Sequence, residues 1–113
     1  MELQVISADE TCTHLALAGK LDIMGVGEIE NKFLDYTAKR KTGAVIDLSG
    51  VTFTGSMGLR LFLSAAKALH REKKKLVLLN PRPMVKVVLD ESGIGDVVLI
   101  TSDPDQALAA AQA

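Results

Sequence analysis

The chain has 113 residues, 48% of them hydrophobic and 24% charged, with no Pro/Gly/Ser-rich stretch or charge block dividing it. That is the size and composition of one self-folding domain spanning residues 1–113, and it excludes a disordered chain. Thirteen basic residues nearly cancel fourteen acidic ones, so no global field draws in a polyanion, and direct nucleic-acid binding is not expected. The single cysteine, Cys12, rules out an internal disulfide and suits a reducing compartment. Met1-Glu2-Leu3-Gln4 lacks the basic start and apolar core of a signal peptide, and no apolar run approaches the ~20 residues of a membrane span. A cytoplasmic location without a membrane span is the expectation.

In chain order, residues 2–7 and 12–18 alternate apolar and polar, with Leu3 and Val5 answering Leu15 and Leu17 across a turn at Ala8-Asp9-Glu10. This predicts an antiparallel pair. The stretch from Gly19 to Gly25 breaks the pattern. Val26, Ile29, Phe33 and Tyr36 then recur at helical spacing, predicting a helix up to Lys41 with Glu28 and Glu30 in its first turns and Lys39, Arg40 and Lys41 in its last. Ala44 to Leu48 is a short strand covered on both faces, interrupted only by Asp47. Ser49-Gly50 and Thr54-Gly55 flank a short extended stretch of the loop that follows.

From Ser56 a second helix runs to about Arg71, with Leu59, Phe62, Leu63, Ala66 and Leu69 on one face and Arg60, Ser64, Lys67 and Arg71 on the other. Leu76 to Leu79 reads as a buried strand. Pro81 and Pro83 open a third helix through about Ser92, closed by Gly93. Val97 to Ile100 is the last strand, and Asp103 caps a final helix with Pro104 at its first position. The order ββαβαβαβα makes this an α/β fold: a mixed central sheet of about five strands with about four helices, parallel after the hairpin.

In such a sheet functional loops lie beyond the carboxyl ends of parallel strands, which singles out Ser49 to Leu59. Two glycines flank Ser56 where a helix begins, keeping the hydroxyl exposed and placing a phosphate against free amides and the positive end of the helix. Serine is also a good helix cap, and the residues alone leave both readings open. Asp22 is open in the same way, as a partner contact or as a cap before the first helix. The stripe of Arg60, Lys67 and Arg71 is either a solvated face or part of a binding surface.

The segment Val45-Ile46-Asp47-Leu48-Ser49-Gly50-Val51-Thr52-Phe53-Thr54-Gly55-Ser56-Met57-Gly58-Leu59 resembles the signature of STAS domains, specifically of bacterial anti-sigma-factor antagonists. There a strand ending in an Asp-Leu-type sequence is followed by a phenylalanine, then Asp-Ser-Ser/Thr-Gly-Leu and a helix. Gly19-Lys20-Leu21-Asp22 resembles the family's Gly-Glu-Leu-Asp, and Asp90-Glu91-Ser92-Gly93-Ile94 resembles its later Ser-Gly-Leu/Ile helix ending. By this resemblance Ser56 is the residue that an ATP-dependent anti-sigma kinase phosphorylates, while Gly55 stands in place of the usual aspartate and Met57 in place of the second hydroxyl residue.

The resemblance implies phosphorylation-controlled binding to an anti-sigma-factor serine kinase of the GHKL ATPase type, releasing a sigma factor. A metal-dependent serine phosphatase would reset the switch. The implied partner surface comprises Asp22, Gly55, Ser56, Met57, Gly58, Leu59 and Arg60. The chain is then a substrate and not an enzyme, with no cofactor and no metal.

Two alternatives accompany this. A STAS domain can serve as a constitutive adaptor in a transporter or stress-signalling complex, and the missing aspartate favours that. Asp47 at the end of a central strand resembles the phosphorylated aspartate of response-regulator receiver domains, but only Asp9 and Glu10 are available to hold magnesium. Catalytic or zinc readings find little support, since Cys12, His14 and His70 lack ligand spacing or an activating partner. Neither Gly55-Ser56-Met57-Gly58 nor Gly93-Ile94-Gly95 meets a nucleotide-binding pattern.

Overall fold

A computed structural model describes residues 1–113. Strands β1 (Glu2–Ala8) and β2 (Cys12–Leu21) are followed by helix α1 (Ile23–Tyr36), strand β3 (Gly43–Thr54) and helix α2 (Ser56–Arg71). Strand β4 (Leu76–Leu79), helix α3 (Pro83–Ser92), a 3₁₀ turn at Ile94–Asp96, strand β5 (Leu99–Thr101) and helix α4 (Pro104–Gln112) complete the chain. The strands lie in sequence order β1-β2-β3-β4-β5, with β1 antiparallel to β2 and the remaining neighbours parallel. Leu3 pairs with Leu17 and Val5 with Leu15, as the alternation predicts.

A parallel sheet laid down in strict order with right-handed crossovers carries all its crossover helices on one face. Accordingly α1, α2 and α3 send Val26, Ile29, Phe33, Leu61, Phe62, Leu69, Val85 and Leu89 onto the strand residues Leu15, Leu17, Ile46, Leu48, Leu76 and Leu78. Phe33 and Phe62 meet over the sheet with ring centroids 5.9 Å apart. The opposite face is narrower. There Cys12, Val45, Val77 and Leu79 are covered by Ala107 and Ala111 of α4.

Several boundaries differ from the sequence expectation. The largest difference is β3, which does not stop at Leu48 but continues to Thr54, paired with the end of β2 up to Leu21↔Thr54. The extension is possible because β2 itself continues past Ala18, through two register irregularities and a left-handed Gly19 at φ 113°. The turn residues Ser49 and Gly50 are absorbed as a bulge, with the Asp47 carboxylate accepting the Ser49 amide at 2.9 Å.

Helix α1 begins at Ile23 and ends at Tyr36, so Lys39, Arg40 and Lys41 lie beyond its last turn and no acidic residue stands in its first. Asp22, accepting the Gly25 amide at 2.7 Å, starts the helix three residues before the apolar stripe does. On α2, Leu61 and Ala65 are buried alongside Phe62, Ala66 and Leu69, while Leu59 and Leu63 are only partly so. Strand β5 is displaced to Leu99–Thr101 by the 3₁₀ turn before it.

Candidate functional site

The carboxyl ends of β2 and β3 are held level by the Leu21↔Thr54 pairing and by the Gly55 amide, which donates to the Leu21 carbonyl at 3.1 Å. Both strands turn directly into helices, so the N-termini of α1 and α2 open side by side at one end of the sheet. Two helix N-termini present amide groups and positive partial charge to the same space. Asp22 fills the α1 opening through its cap to Gly25. The α2 opening has no such filler, because its N-cap is Gly55 and no side chain caps it.

Ser56 is therefore the first residue inside α2 and not its cap, and its side chain is exposed. The capping reading of Ser56 is overturned: its hydroxyl makes no hydrogen bond within the chain. The cap position belongs to Gly55, at φ −107° and ψ −168°, an extended conformation open to any residue. A Cβ at Gly55 would meet the Phe53 ring at 3.4 Å and the Leu21 carbonyl oxygen at 4.0 Å, both in ordinary contact. The backbone thus does not demand glycine there. Gly58 is different: a Cβ on it would lie 2.5 Å from Thr54 Oγ1 and 3.0 Å from Leu21 Cβ, so the first turn of α2 sits on the strand ends only because that side chain is missing.

Of the remaining residues singled out from sequence, Arg60 is exposed, Gly55, Met57 and Leu59 are half-buried, and Gly58 is buried. Met57 and Leu59 pack partly against the core. Asp22, Ile23, Phe53, Gly55, Ser56 and Met57 line a shallow groove of about 190 Å³. Asp22 takes part mainly as the cap that fixes the α1 end.

Sequence reasoning missed the apolar rim of this groove. Ile23, 75% exposed, and Phe53, 48%, line the groove with Ser56, and Met24, 79% exposed, follows Ile23 on α1. The available signal was phase: Ile23-Met24 falls out of step with the Val26, Ile29, Phe33 stripe, so a helix including them must turn them outward.

Elsewhere the chemistry is quiet. Asp47 lies inside β3, seven residues before its end, and is engaged with the Ser49 amide, which removes the strand-end position a receiver-type aspartate needs. Cys12 is buried under α4, and burial pushes its thiol above the ordinary cysteine value, with the nearby Asp9 charge adding to the effect. A thiol so placed stays protonated and unreactive. His14 keeps a buried Nε2 with no hydrogen-bond partner. No three His, Cys, Asp or Glu side chains are grouped to hold a metal ion, and no helix is long and apolar enough to cross a membrane.

With this geometry in hand, comparison with known proteins is specific. Residues 5–101 match the family model described as the Mlab, STAS domain. An anti-sigma-B factor antagonist of Staphylococcus epidermidis is 28% identical over 94 residues, covering 79% of this chain and 87% of that protein. An anti-sigma-B factor antagonist of Listeria monocytogenes is 23% identical over 100 residues, 88% of each chain. Among solved structures, the unphosphorylated anti-sigma factor antagonist SpoIIAA superposes with a TM-score of 0.76 at 23% identity, over 95% of this chain and 93% of that one. An anti-sigma factor antagonist from Mycobacterium paratuberculosis gives 0.82 at 20% identity, over 99% and 96%. The two structures share the mixed five-stranded fold, and the family match covers most of the length: the chain belongs to the STAS domain family.

Proposed function

We propose that this chain is an anti-sigma-factor antagonist whose docking to an anti-sigma-factor serine kinase of the GHKL ATPase type is controlled by phosphorylation of Ser56. The observation that carries this is the exposed Ser56 hydroxyl at the uncapped start of α2, in a groove shared with the exposed apolar Ile23 and Phe53. An apolar rim around a modifiable hydroxyl suits a contact surface that one charge can disrupt. Phosphate adds about −1.5 to −2 charge, which the interface would have to desolvate. The relatives named anti-sigma-B factor antagonists support the class of partner. A metal-dependent serine phosphatase would restore the binding form, and the chain acts as substrate and binding partner without catalysing a reaction.

The test is incubation with the cognate kinase and ATP. One phosphate is expected, abolished by Ser56→Ala, with Thr54 and Ser64 as internal controls. Ser56→Ala should keep partner binding and Ser56→Glu should weaken it, partially because a carboxylate carries less charge than a phosphate. A second reading is favoured by Gly55 and Met57 standing where the family has an aspartate and a hydroxyl residue: a constitutive adaptor with the same surface. It predicts no phosphorylation of Ser56 and equal binding by the glutamate variant.

A further inference from the structure

The two turns that lead into the amino ends of β3 and β4 lie together at the end of the sheet opposite Ser56, joined by the Ala44 amide donating to the Lys75 carbonyl at 3.0 Å. These turns, with Arg71 at the end of α2, hold Lys39, Arg40, Lys41, Arg71, Lys73, Lys74 and Lys75, seven of the chain's thirteen cations, in a protein of net charge −1. Only part of this charge is used internally. Lys39 pairs with Asp35 and Lys41 reaches Glu72 at 3.8 Å, while Arg40 bonds the Thr13 hydroxyl and the Asp9 carbonyl. Arg71, Lys73, Lys74 and Lys75 have no carboxylate within 4.0 Å. Asp9 and Glu10 share this end of the sheet but stand beside β2, two strands or about 10 Å from the Lys73–Lys75 turn.

A second observation separates this cluster from an ordinary solvated face. Helix α2 closes in a Schellman arrangement, with the Lys74 amide donating to the Leu69 carbonyl at 2.8 Å and the Lys73 amide to the His70 carbonyl at 2.9 Å. The left-handed residue of that motif is usually glycine, and α3 ends that way at Gly93, φ 78°. Here it is Lys73 at φ 58°, and the turn before β3 likewise places Lys41 at φ 60°. A lysine in this conformation is strained where glycine is not. The dipoles of α1 and α2 favour cations nearby, but a lysine one residue to either side would serve them without strain. Two lysines at left-handed positions in adjoining turns point to a use for their side chains.

We propose that this end of the molecule is an electrostatic docking surface for a bilayer carrying anionic phospholipids. The cations are mostly lysines on turn tips, hydrated point charges on flexible stems, which match a fluid array of phosphates better than a fixed pattern of acceptors. No recognition helix or aromatic platform accompanies them, as groove reading or base stacking would need. The neighbouring cleft of about 500 Å³ beside β5 contains Lys75 and Lys86 but also Asp90 and Asp96, so the lysine tips and not the cleft form the site. Helix α2, sixteen residues or about 24 Å long, separates this surface from Ser56, leaving both ends free at once.

The experiment is sedimentation of the full chain with vesicles of phosphatidylcholine alone or containing about one-third phosphatidylglycerol, at salt from about 50 to about 300 mM. Binding confined to the anionic vesicles and weakening with salt is expected. Each lysine removed should cost about fivefold in affinity, hence about a hundredfold for Lys73→Gln/Lys74→Gln/Lys75→Gln, while Lys20→Gln, at the opposite end of the sheet, changes little. Lys73→Gly should lose about fivefold while its Tm stays level or rises. Equal sedimentation with both vesicle types, no sedimentation with either, or undiminished affinity in the triple variant overturns the proposal. So does tighter binding to a DNA duplex or to polyglutamate, which would identify a nucleic acid or an acidic protein segment as the occupant.

Discussion

Ser56 opens α2 without capping it, and this separates its structural from its chemical role. Ser56→Ala should change stability by less than about 0.5 kcal/mol, as for a surface side chain with no partner, measured by urea denaturation. A loss of about 1 kcal/mol or more would restore the capping role. Gly55→Asp places an acceptor at the empty cap and should raise stability by a few tenths of a kcal/mol through the cap, with a further ~0.3–1 kcal/mol from the helix end. Gly58→Ala forces a methyl into Thr54 and Leu21 and should cost about 1–3 kcal/mol. The buried, protonated Cys12 thiol should react with iodoacetamide only at the rate of unfolding. Of the candidate site, Ser56 and its glycines were legible because a strand-to-helix turn leaves a local pattern. The exposed Ile23 and Met24 left only the signal of phase, and Phe53 left none, since its exposure depends on how the ends of β2 and β3 line up, which no local spacing encodes.

At the scale of elements, α1 and α2 are locked over the sheet by Phe33 and Phe62, both fully buried. Phe62→Ala should cost about 3–5 kcal/mol, a large share of a net stability of about 5–15 kcal/mol, and appear as a marked fall in Tm. In a double-mutant cycle with Phe33→Ala, the ring pair should contribute about 0.5–1.5 kcal/mol of coupling. The β1–β2 turn carries a pH-dependent element. The Asp9 carboxylate accepts from the Thr11 hydroxyl and from the Thr11 and Cys12 amides, which holds its pKa below the ordinary value. Because the folded value is depressed, the stabilisation is present above the unfolded pKa and is lost as pH falls through the folded one. Asp9→Asn should therefore lower Tm at neutral pH and have a shrinking effect below about pH 4.

The helices and their order were readable from apolar periodicity and proline punctuation, and so was the hairpin. The length of β3 was not, because Ser49-Gly50 reads locally as a turn and only pairing with an equally extended β2 turns it into a bulge. Nor was the early end of α1, where Lys39, Arg40 and Lys41 carry helix-favouring side chains beyond the last residue that packs.

For the whole molecule, strict sequence order of the strands sets the polarity: helices start at the Ser56 end and finish at the lysine end. Strand β3 spans both, from Gly43 beside the lysine turns to Thr54 beside Ser56, paired with β2 along its length and with β4 over Ala44–Asp47. Where both neighbours hold it, over Ala44–Asp47, the strand has no second register to move into without turning its buried side chains outward. A charge added at one end is therefore not expected to alter the other through a register shift of β3. Ser56→Glu and Lys73→Gln should act additively, within about 0.5 kcal/mol, on partner and vesicle binding measured in parallel. On the two proposals, the fold would hold a protein partner and a bilayer at opposite ends of one strand, at a separation set by its length, and phosphorylation would decide only whether the partner is present.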